Sequence, residues 1–302
     1  HKTKKVSRGV VFKVIFGVFA VLMLIVTAVS AEEVIFEKES HYHRVRVVVR
    51  DNGDLDLRMG HIVHSTIKPG HEDLLPFYYT RTMFTSLALV PEPSRVLFVG
   101  LGGGSMVNFF RKYYPDVQID LVEIDPVVVE VAKNFFSFKV DSRMNVVVED
   151  GRSFLRRSDA KYDLIFLDAY NHESIAFHLT TKEFFENVKE HLSSNGRVVS
   201  HYWSEKSNRF LSAQQKTYQA VFNRFLQVRT AGSVIMIAPY SDKDPSMVRL
   251  TGFLKKIVEQ REMPYRLDSL FEKGGELVGS EEIDAPVLTD DYAPVDILLQ
   301  QE

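Results

Sequence analysis

Apolar residues from position 95 onward occur in short, nearly continuous runs, and each run ends at a glycine or an acid. The first four runs begin at Arg95, Gln118, Met144 and Tyr162. Segments with the apolar spacing of helices follow them, at 105–113, 126–136, 151–157 and 181–192. Strands that are apolar nearly throughout, alternating with helices, predict a parallel sheet covered on both faces, as in a Rossmann-like α/β fold.

The last part of this pattern departs from strict alternation of strand and helix. A strand at 196–202 and a helix at 212–225 are followed by two apolar runs, 226–230 and 233–238, on either side of Ala231-Gly232. A gap this short permits only an antiparallel hairpin. The sequence therefore predicts a mostly parallel seven-stranded sheet with a terminal antiparallel hairpin.

A different pattern precedes this unit. Short alternating segments run from Val34 to Ser65, with the turn sequence Asp51-Asn52-Gly53-Asp54 between two of them, and predict a small antiparallel β unit. Residues 71–89 have the apolar spacing of a helix. The chain is accordingly divided into an N-terminal segment, 1–31, a β unit, 32–70, and a Rossmann-like domain, 71–302.

The N-terminal segment has the pattern of a targeting sequence. Basic residues at positions 2–8 precede an apolar run from Val10 to Ala31 that only Lys13 interrupts. Small residues before Glu32 resemble a signal-peptide cleavage site, and the run is also long enough to anchor in a bilayer. We expect this segment to contact a membrane, with the remainder exported or membrane-anchored. A cytoplasmic protein is expected if the segment is not a true signal.

Composition narrows the possible chemistry. The 302 residues include no cysteine, which excludes disulfides, thiolate metal sites and a cysteine nucleophile. The net charge of -3 gives no indication of nucleic-acid binding. His61 and His64 are three positions apart, a spacing that points side chains to opposite faces of a strand. We therefore expect neither a nucleic-acid partner nor a metal site.

The glycine-rich segment after the first long strand gives the first indication of a ligand site. Gly100, Gly102, Gly103 and Gly104 form a turn that opens a helix. Glycines allow a ligand to approach the backbone, and a helix N-terminus offers unpaired amides. The dinucleotide fingerprint requires glycine or alanine where this chain has Ser105, which disfavours a nicotinamide cofactor. The turn is assigned to binding of another cofactor.

Acids follow the next strands at the same predicted edge of the sheet. Glu123 is placed to accept both hydroxyls of a ribose. Asp150, followed by Gly151, is placed to accept from an exocyclic adenine amine, with capping of the next helix as the alternative. Asp125 is favoured as the cap of the helix that follows it. Together with Asp168, these acids predict a site for an adenosine-containing cofactor.

Four segments of the chain carry a family resemblance. They are VLFVGLGGGS, LVEIDPVVVEVAKNFF, VVVEDGRSFL and YDLIFLDAY. They resemble spermidine-synthase-like proteins, the polyamine aminopropyltransferases, within the class I S-adenosylmethionine-dependent methyltransferase superfamily, and the resemblance covers roughly residues 34–299. It implies a transferase that moves an aminopropyl group from decarboxylated S-adenosylmethionine to an amine acceptor, and a homodimer.

The resemblance also implies roles for individual residues. Asp168 matches the first acid of the family's Asp-Ser-Ser-Asp-Pro segment, and is assigned to hold the acceptor amine and take its proton. Tyr170 is assigned beside it as a wall of the acceptor site. Glu72, Tyr79 and Asp291 are assigned to acceptor binding. For Glu72 the alternative is a helix-start acid, and for Asp291 it is a bond to nearby backbone amides.

The sequence departs from the family pattern at two places. Asn171 stands where the family has its second acid, with His172 in place of proline, and the family's Gly-Gly-Gly-Asp-Gly turn ends here in Ser105-Met106. Loss of the second acid removes a charge that would attract a polyamine. Two alternatives therefore stay open: a methyltransferase that uses S-adenosylmethionine, and a non-catalytic, membrane-anchored, nucleoside-binding protein.

Overall fold

The structure is a computed structural model that describes residues 33–169, 176–205, 208–279 and 283–292. The predicted targeting segment, 1–31, and the predicted acceptor wall Tyr170 lie outside the described residues, as do Asn171 and His172. Within the described ranges, no helix combines the length and the apolar character needed to cross a membrane.

The N-terminal unit is a four-stranded antiparallel sheet in the order β1-β2-β3-β4. Its strands are β1 Glu33–Glu39, β2 Arg44–Val49, β3 Leu55–Met59 and β4 Ile62–Ile67. The turn at Gly53, where φ is 82°, joins β2 to β3. The small antiparallel β unit predicted from the sequence is therefore confirmed.

The large sheet has eight strands in the order β12-β10-β11-β9-β8-β5-β6-β7. Its strands are β5 Arg95–Val99, β6 Gln118–Glu123, β7 Met144–Val148, β8 Tyr162–Leu167, β9 Leu192–Trp203, β10 Phe225–Thr230, β11 Ser233–Ala238 and β12 Gly275–Val278. Strands β5 to β9 are parallel, and the last three strands pair antiparallel. The Rossmann-like fold and the β10–β11 hairpin agree with the sequence prediction.

Eight α-helices are found in the described residues. They are α1 Tyr78–Met83, α2 Ser105–Tyr113, α3 Pro126–Phe135, α4 Gly151–Arg157, α5 Lys182–Glu190, α6 Leu211–Phe222, α7 Met247–Gln260 and α8 Leu267–Gly274. Two 3-10 helices, Phe84–Ala88 and Phe177–Leu179, complete the helical elements of the same ranges.

Two predictions about these elements are wrong. The helix predicted over 71–89 begins only at Tyr78, because Pro76 disfavours helical backbone at the residue before it. The sheet has an eighth strand, β12, which the sequence analysis missed. That strand is four residues long and lies at an edge of the sheet, so its sequence Gly-Glu-Leu-Val lacks a clear apolar alternation.

The core packs on both faces of the large sheet, because successive side chains of a strand point to opposite faces. On one face Phe98 stacks on Phe166, with ring centroids 4.8 Å apart, and Phe84 meets Phe166 edge-on at 5.4 Å. The neighbouring residues Leu97 and Val99 belong to the cluster on the other face. The two buried faces hold the parallel strands in register.

The N-terminal sheet is fastened to the Rossmann-like domain beside the glycine-rich turn. The backbone N–H of Gly103 donates to the hydroxyl of Ser65 at 2.8 Å. The hydroxyl of Ser40 donates to Asp125 at 2.5 Å, and the rings of Phe36 and Phe135 lie 5.3 Å apart. The small sheet therefore forms part of the surroundings of the turn.

We predict that Phe166→Ala lowers the free energy of unfolding by about 3–5 kcal/mol, because it opens a cavity among packed rings. The side chain is 1% exposed. Urea denaturation followed by circular dichroism measures the change. Val248→Ala is the control, since Val248 is 83% exposed and the substitution should stay within about 0.5 kcal/mol. A loss below about 1 kcal/mol for Phe166→Ala would contradict this account of the core.

Candidate active site

The carboxyl ends of four neighbouring parallel strands meet at one edge of the large sheet. Val99, at the end of β5, pairs with Val122 on one side and with Leu167 on the other. The residues after these strands therefore lie side by side, and they line one cleft. With its open mouth included, the cleft has about 1110 Å³ of space that protein atoms do not fill. We call it the strand-end cleft and define it by Gly100, Leu101, Glu123, Asp150 and Asp168.

The glycine-rich turn faces the cleft with only part of its length. Gly100 and Gly102 line the cleft, as predicted. A Cβ on Gly100 would lie 2.4 Å from the carbonyl oxygen of Asp168, so only glycine lets the two strand ends approach. Gly103 and Gly104 instead pack against protein: a Cβ there would meet Ser65 and Phe136, or Phe138. Of the four glycines, Gly100 and Gly102 therefore line the cleft and Gly103 and Gly104 do not, and ligand contact stays a prediction.

Glu123 is buried, and both of its carboxylate oxygens accept backbone hydrogen bonds. Oε2 accepts from the N–H of Leu101 at 2.9 Å, and Oε1 accepts from the N–H of Asp125 at 2.9 Å. Burial raises the pKa of Glu123, although these two bonds act in the opposite direction. Each carboxylate oxygen has a second lone-pair site. Glu123 is therefore placed on the wall of the cleft with capacity to accept further hydroxyl donors.

Asp125 and Asp150 both cap helices. Asp125 accepts from the N–H of Val127 at 2.8 Å, as the sequence indicated. Asp150 accepts from the N–H of Ser153 at 2.9 Å through one oxygen, and its other oxygen lies 2.8 Å from Nε2 of His178. Gly151 lines the cleft at the start of α4. The capping alternative for Asp150 is confirmed, and its role toward adenine stays a prediction.

Asp168 follows β8 and is held by two side chains from distant parts of the chain. Oδ1 lies 2.9 Å from Nδ1 of His201, and Oδ2 accepts from the hydroxyl of Tyr79 at 3.2 Å. The other ring nitrogen of His201 lies 3.0 Å from the hydroxyl of Ser233. The Asp168 side chain is 21% exposed and that of His201 only 3%. His201 and Tyr79 thus orient the carboxylate of Asp168, and part of it stays accessible.

Electrostatics keep Tyr79 in its hydrogen-bond donor form. Burial raises the pKa of Tyr79 well above its usual value, and the charge on Asp168 raises it further. The phenol therefore stays protonated at neutral pH and donates to the carboxylate. Its ring stacks on His201, with centroids 4.0 Å apart and planes 10° apart.

Asp168 also borders a second cavity, which we call the aromatic compartment. Its walls carry six rings, those of His64, Phe77, Tyr78, Tyr79, His201 and Trp203. Asp168 and Tyr79 line both this compartment and the strand-end cleft. One carboxylate therefore stands between a cleft with acidic groups and a compartment with aromatic walls.

The remaining acceptor residues predicted from the sequence are not brought to Asp168. Glu72 accepts from the N–H of Gly70 at 2.8 Å, in a loop that lines neither cavity. That hydrogen bond lowers the pKa of Glu72. Asp291 is exposed and also lines neither cavity. Its neighbour Asp290 is paired with Arg152 at 2.5 Å, which ties this part of the chain to α4. Of the three residues assigned to acceptor binding, Glu72, Tyr79 and Asp291, only Tyr79 contacts Asp168.

Sequence reasoning missed three side chains of the site: His201, Ser233 and His178. His201 and Ser233 lie on β9 and β11, and they reach Asp168 only because these strands are neighbours in the sheet. His178 lies in a 3-10 helix beyond the residues that follow β8. The one available signal was the histidine in the segment VVSHYW of β9. Over the described ranges, no group of three or more histidines and acids is arranged to hold a metal ion.

Comparison with known proteins identifies the family. A family model described as the spermine/spermidine synthase domain matches residues 77–246. The polyamine aminopropyltransferase of Vibrio vulnificus (strain CMCP6) is 38% identical over 152 residues, which are 49% of this chain and 50% of the relative. The eEF1A lysine and N-terminal methyltransferase of Xenopus laevis is 35% identical over 136 residues, 39% of this chain and 20% of the relative. The chain spans about half the length of the aminopropyltransferase.

The fold has a counterpart among solved structures. A spermidine synthase in complex with the transition-state analogue AdoDATO superposes with a TM-score of 0.65 and 19% identity, over 80% of this chain and 83% of that one. At this level of identity, the match shows the shared fold.

We predict that His178→Asn raises the pKa of Asp150, because the hydrogen bond from His178 holds that pKa at about 2. A carboxyl group whose pKa is lowered by folding stabilises the native state above its unfolded-state pKa. That stabilisation is lost as the pH falls toward 2. The variant should lose about 1 kcal/mol at neutral pH, since the pair is partly exposed. Below about pH 3.8 the difference from the wild type should shrink.

Urea denaturation at a series of pH values measures this dependence, and the carboxyl carbon shift of Asp150 reports its pKa directly. His191→Asn is not a suitable control, because both of its ring nitrogens contact backbone carbonyls. The exposed His61 is suitable, and His61→Asn should leave the Asp150 titration unchanged. An unshifted Asp150 pKa in His178→Asn would contradict the assignment.

Proposed function

The chain belongs to the spermine/spermidine synthase family, and from this premise we propose that it transfers an aminopropyl group from decarboxylated S-adenosylmethionine to a small amine. One observation carries the proposal: Asp168 stands between the strand-end cleft and the aromatic compartment. A donor in the first cavity and an acceptor in the second would meet at this carboxylate. Holding two reactants in contact supplies much of the rate of such a reaction.

The strand-end cleft suits the nucleoside part of the donor. Glu123 has lone pairs for the two ribose hydroxyls, and Asp150 lies farther along the same wall. Ile124 and Leu179 add apolar surface for a base, and Ile124 is 38% exposed. Acids and apolar side chains in this arrangement fit adenosine, which donates hydrogen bonds from its ribose and its amine.

The charge of the walls favours the decarboxylated donor. Among the described residues, neither lysine nor arginine lines either cavity. S-adenosylmethionine itself carries a carboxylate, which would lie near Asp168 with neither lysine nor arginine among the described lining residues to pair with it. Like charges at short distance in a partly buried site are unfavourable. Removal of the donor's carboxylate removes this repulsion.

The chemistry required of the protein is modest, because the positively charged sulfur of the donor leaves as a neutral thioether. The acceptor amine must lose a proton before its nitrogen lone pair can attack. Asp168 is placed to hold the ammonium form and then to take that proton. The new C–N bond forms as the C–S bond breaks, and the electron pair of the broken bond stays on sulfur. Tyr79 and His201 keep the carboxylate in place.

Methyl transfer on the same scaffold is the second candidate, and the similarity to the Xenopus laevis methyltransferase favours it. The two reactions use different donors, so the donor that the protein binds more tightly distinguishes them. Binding stabilises a folded protein according to ligand concentration over Kd. A larger thermal shift with decarboxylated S-adenosylmethionine than with S-adenosylmethionine supports aminopropyl transfer, and the reverse order supports methyl transfer.

We predict that Asp168→Asn lowers kcat by at least about 100-fold, because the amide cannot accept the amine's proton. Affinity for 5′-methylthioadenosine should change little, since Glu123 and Asp150 stay intact. Release of methylthioadenosine measures turnover, and calorimetry measures binding. Asp159→Asn, at an exposed position before β8, is the matched control. Unchanged turnover in Asp168→Asn would refute this role for Asp168.

We predict that Glu123→Gln weakens binding of 5′-methylthioadenosine by about 1–3 kcal/mol, the usual effect of losing a charged hydrogen-bond partner. Calorimetric titration measures the change, and a thermal melt checks that the variant is folded. Glu130→Gln is the control, because Glu130 is 41% exposed and pairs only with Lys38 in this part of the structure. An equal Kd for Glu123→Gln and wild type would overturn the ribose assignment.

A further inference from the structure

We propose that Asp290 is a positioning residue for adenine recognition: by holding Arg152, it keeps the carboxylate of Asp150 available to the amine of the base. The inference rests on the proposed function, because Asp150 belongs to the nucleoside end of the same site. It follows from the burial of Arg152, from the contacts of its guanidinium, and from the anchoring of residues 288–292, which we call the clasp.

Arg152 carries its charge directly behind the wall of the strand-end cleft. It is the second residue of α4, and its side chain is 9% exposed. Asp150 and Gly151 line the cleft, whereas Arg152 does not. The hydrogen bonds to Asp290 raise the pKa of Arg152, and the charges of Glu183 and Asp150 act in the same direction. A buried cation requires a carboxylate partner, and that partner must not be Asp150 if Asp150 is to serve a ligand.

Asp290 binds the guanidinium with both of its carboxylate oxygens. Nη1 of Arg152 donates to Oδ1 at 2.7 Å, and Nη2 donates to Oδ2 at 2.5 Å. Nη1 also donates to the carbonyl oxygen of His178 at 3.1 Å. Paired bonds of this kind fix the orientation of the guanidinium as well as neutralising its charge. Arg152 is therefore held by Asp290 and by the backbone of the 3-10 helix, and not by Asp150.

The same contacts reach Asp150 a second time, through His178. The carbonyl of His178 accepts from Arg152, while its Nε2 lies 2.8 Å from Oδ2 of Asp150. His178 lines the cleft beside Asp150. Each oxygen of Asp150 has a further lone-pair site for a ligand donor. A displaced Arg152 would thus change both the charge next to Asp150 and the position of the histidine that contacts it.

The clasp fastens Asp290 to the start of α5. The backbone N–H of Asp290 donates to Glu183 at 2.9 Å, and the hydroxyl of Thr181 donates to Oδ1 of Asp290 at 2.8 Å. The carbonyl of Leu288 accepts from the N–H of Lys182 at 2.8 Å, and Leu288 is buried. Contacts of this kind lock the rotamer of a supporting side chain, as a positioning role requires.

Two nucleosides test this role, because 5′-methylthioinosine carries a carbonyl oxygen where 5′-methylthioadenosine carries its amine. A site built to hydrogen-bond the amine discriminates against the analogue that lacks it. In the full chain, we expect Asp290→Asn to raise the calorimetric Kd of methylthioadenosine about fivefold and that of methylthioinosine less than about twofold. Released from Asp290, Arg152 competes with the adenine amine for Asp150, whereas it can donate to a carbonyl oxygen.

Asp284→Asn is the matched control, since Asp284 is exposed, precedes the clasp and lines neither cavity. Its ratio of the two Kd values should equal that of the wild type. A merely structural role of Asp290 would weaken the binding of both nucleosides by the same factor. An unchanged Kd ratio in Asp290→Asn, with or without a lower melting temperature, therefore overturns the proposal.

Hydrogen exchange on the wild-type chain provides a test that does not depend on the folding of a variant. Coupling between two sites is reciprocal, so a nucleoside that engages Asp150 must stabilise the contacts of the clasp. We expect saturating methylthioadenosine to slow exchange of the N–H groups of Asp290 and Lys182 about fivefold more than that of Gly53. Gly53, in the turn between β2 and β3, reports any general stabilisation. Equal slowing at the three amides, or none, overturns the proposal.

Failure of the proposed function is distinguishable from failure of this inference. If no amine releases methylthioadenosine from decarboxylated S-adenosylmethionine, aminopropyl transfer fails, while the Kd ratio in Asp290→Asn still decides the role of Asp290. Equal affinity of the wild type for the two nucleosides overturns the adenine assignment of Asp150, and this inference with it.

Discussion

The hydrogen bonds around Asp168 are the interaction on which the site depends. An ionised carboxylate accepts only, so the His201 ring that faces it donates from Nδ1. Nε2 of His201 lies 3.0 Å from the hydroxyl of Ser233. Tyr79 stays protonated and donates from the other side. One carboxylate thus orients a buried histidine and a phenol, and both in turn hold the carboxylate in place.

This arrangement requires strands that are far apart in sequence to be neighbours in the sheet. Asp168 follows β8, His201 lies on β9 and Ser233 begins β11, and these three strands are consecutive in the sheet order. The register pairs Ser233 with Trp203 and Ile235 with His201. A shift of one residue would turn the His201 side chain to the opposite face of the sheet. The apolar residues on both faces of these strands therefore secure the geometry around Asp168 as well as the stability of the fold.

The sequence pattern predicted those features that short segments of the chain determine, namely the parallel strands and the residues that end them. Parallel strands are buried on both faces, so their apolar runs are visible in the sequence, and the residues at their carboxyl ends could be assigned to one edge. Glu123, Asp150 and Asp168 do line one cleft for that reason. The partners of Asp168 could not be found in this way, since strand order decides them. The error at Glu72 also has a local cause, because Pro76 replaces the expected first turns of helix by a loop.

Two carboxylates of the same cleft, those of Glu123 and Asp168, have different surroundings, and these match the separate roles proposed for them. Both oxygens of Glu123 accept from backbone amides, one in the glycine-rich turn and one at the start of α3. Such a group suits steady recognition of hydroxyls. Asp168 is held by side chains alone and borders both cavities, so it can exchange a proton with a ligand while the backbone stays in place. In many active sites two carboxyl groups have different roles because their surroundings differ. The roles proposed for Glu123 and Asp168 follow the same rule.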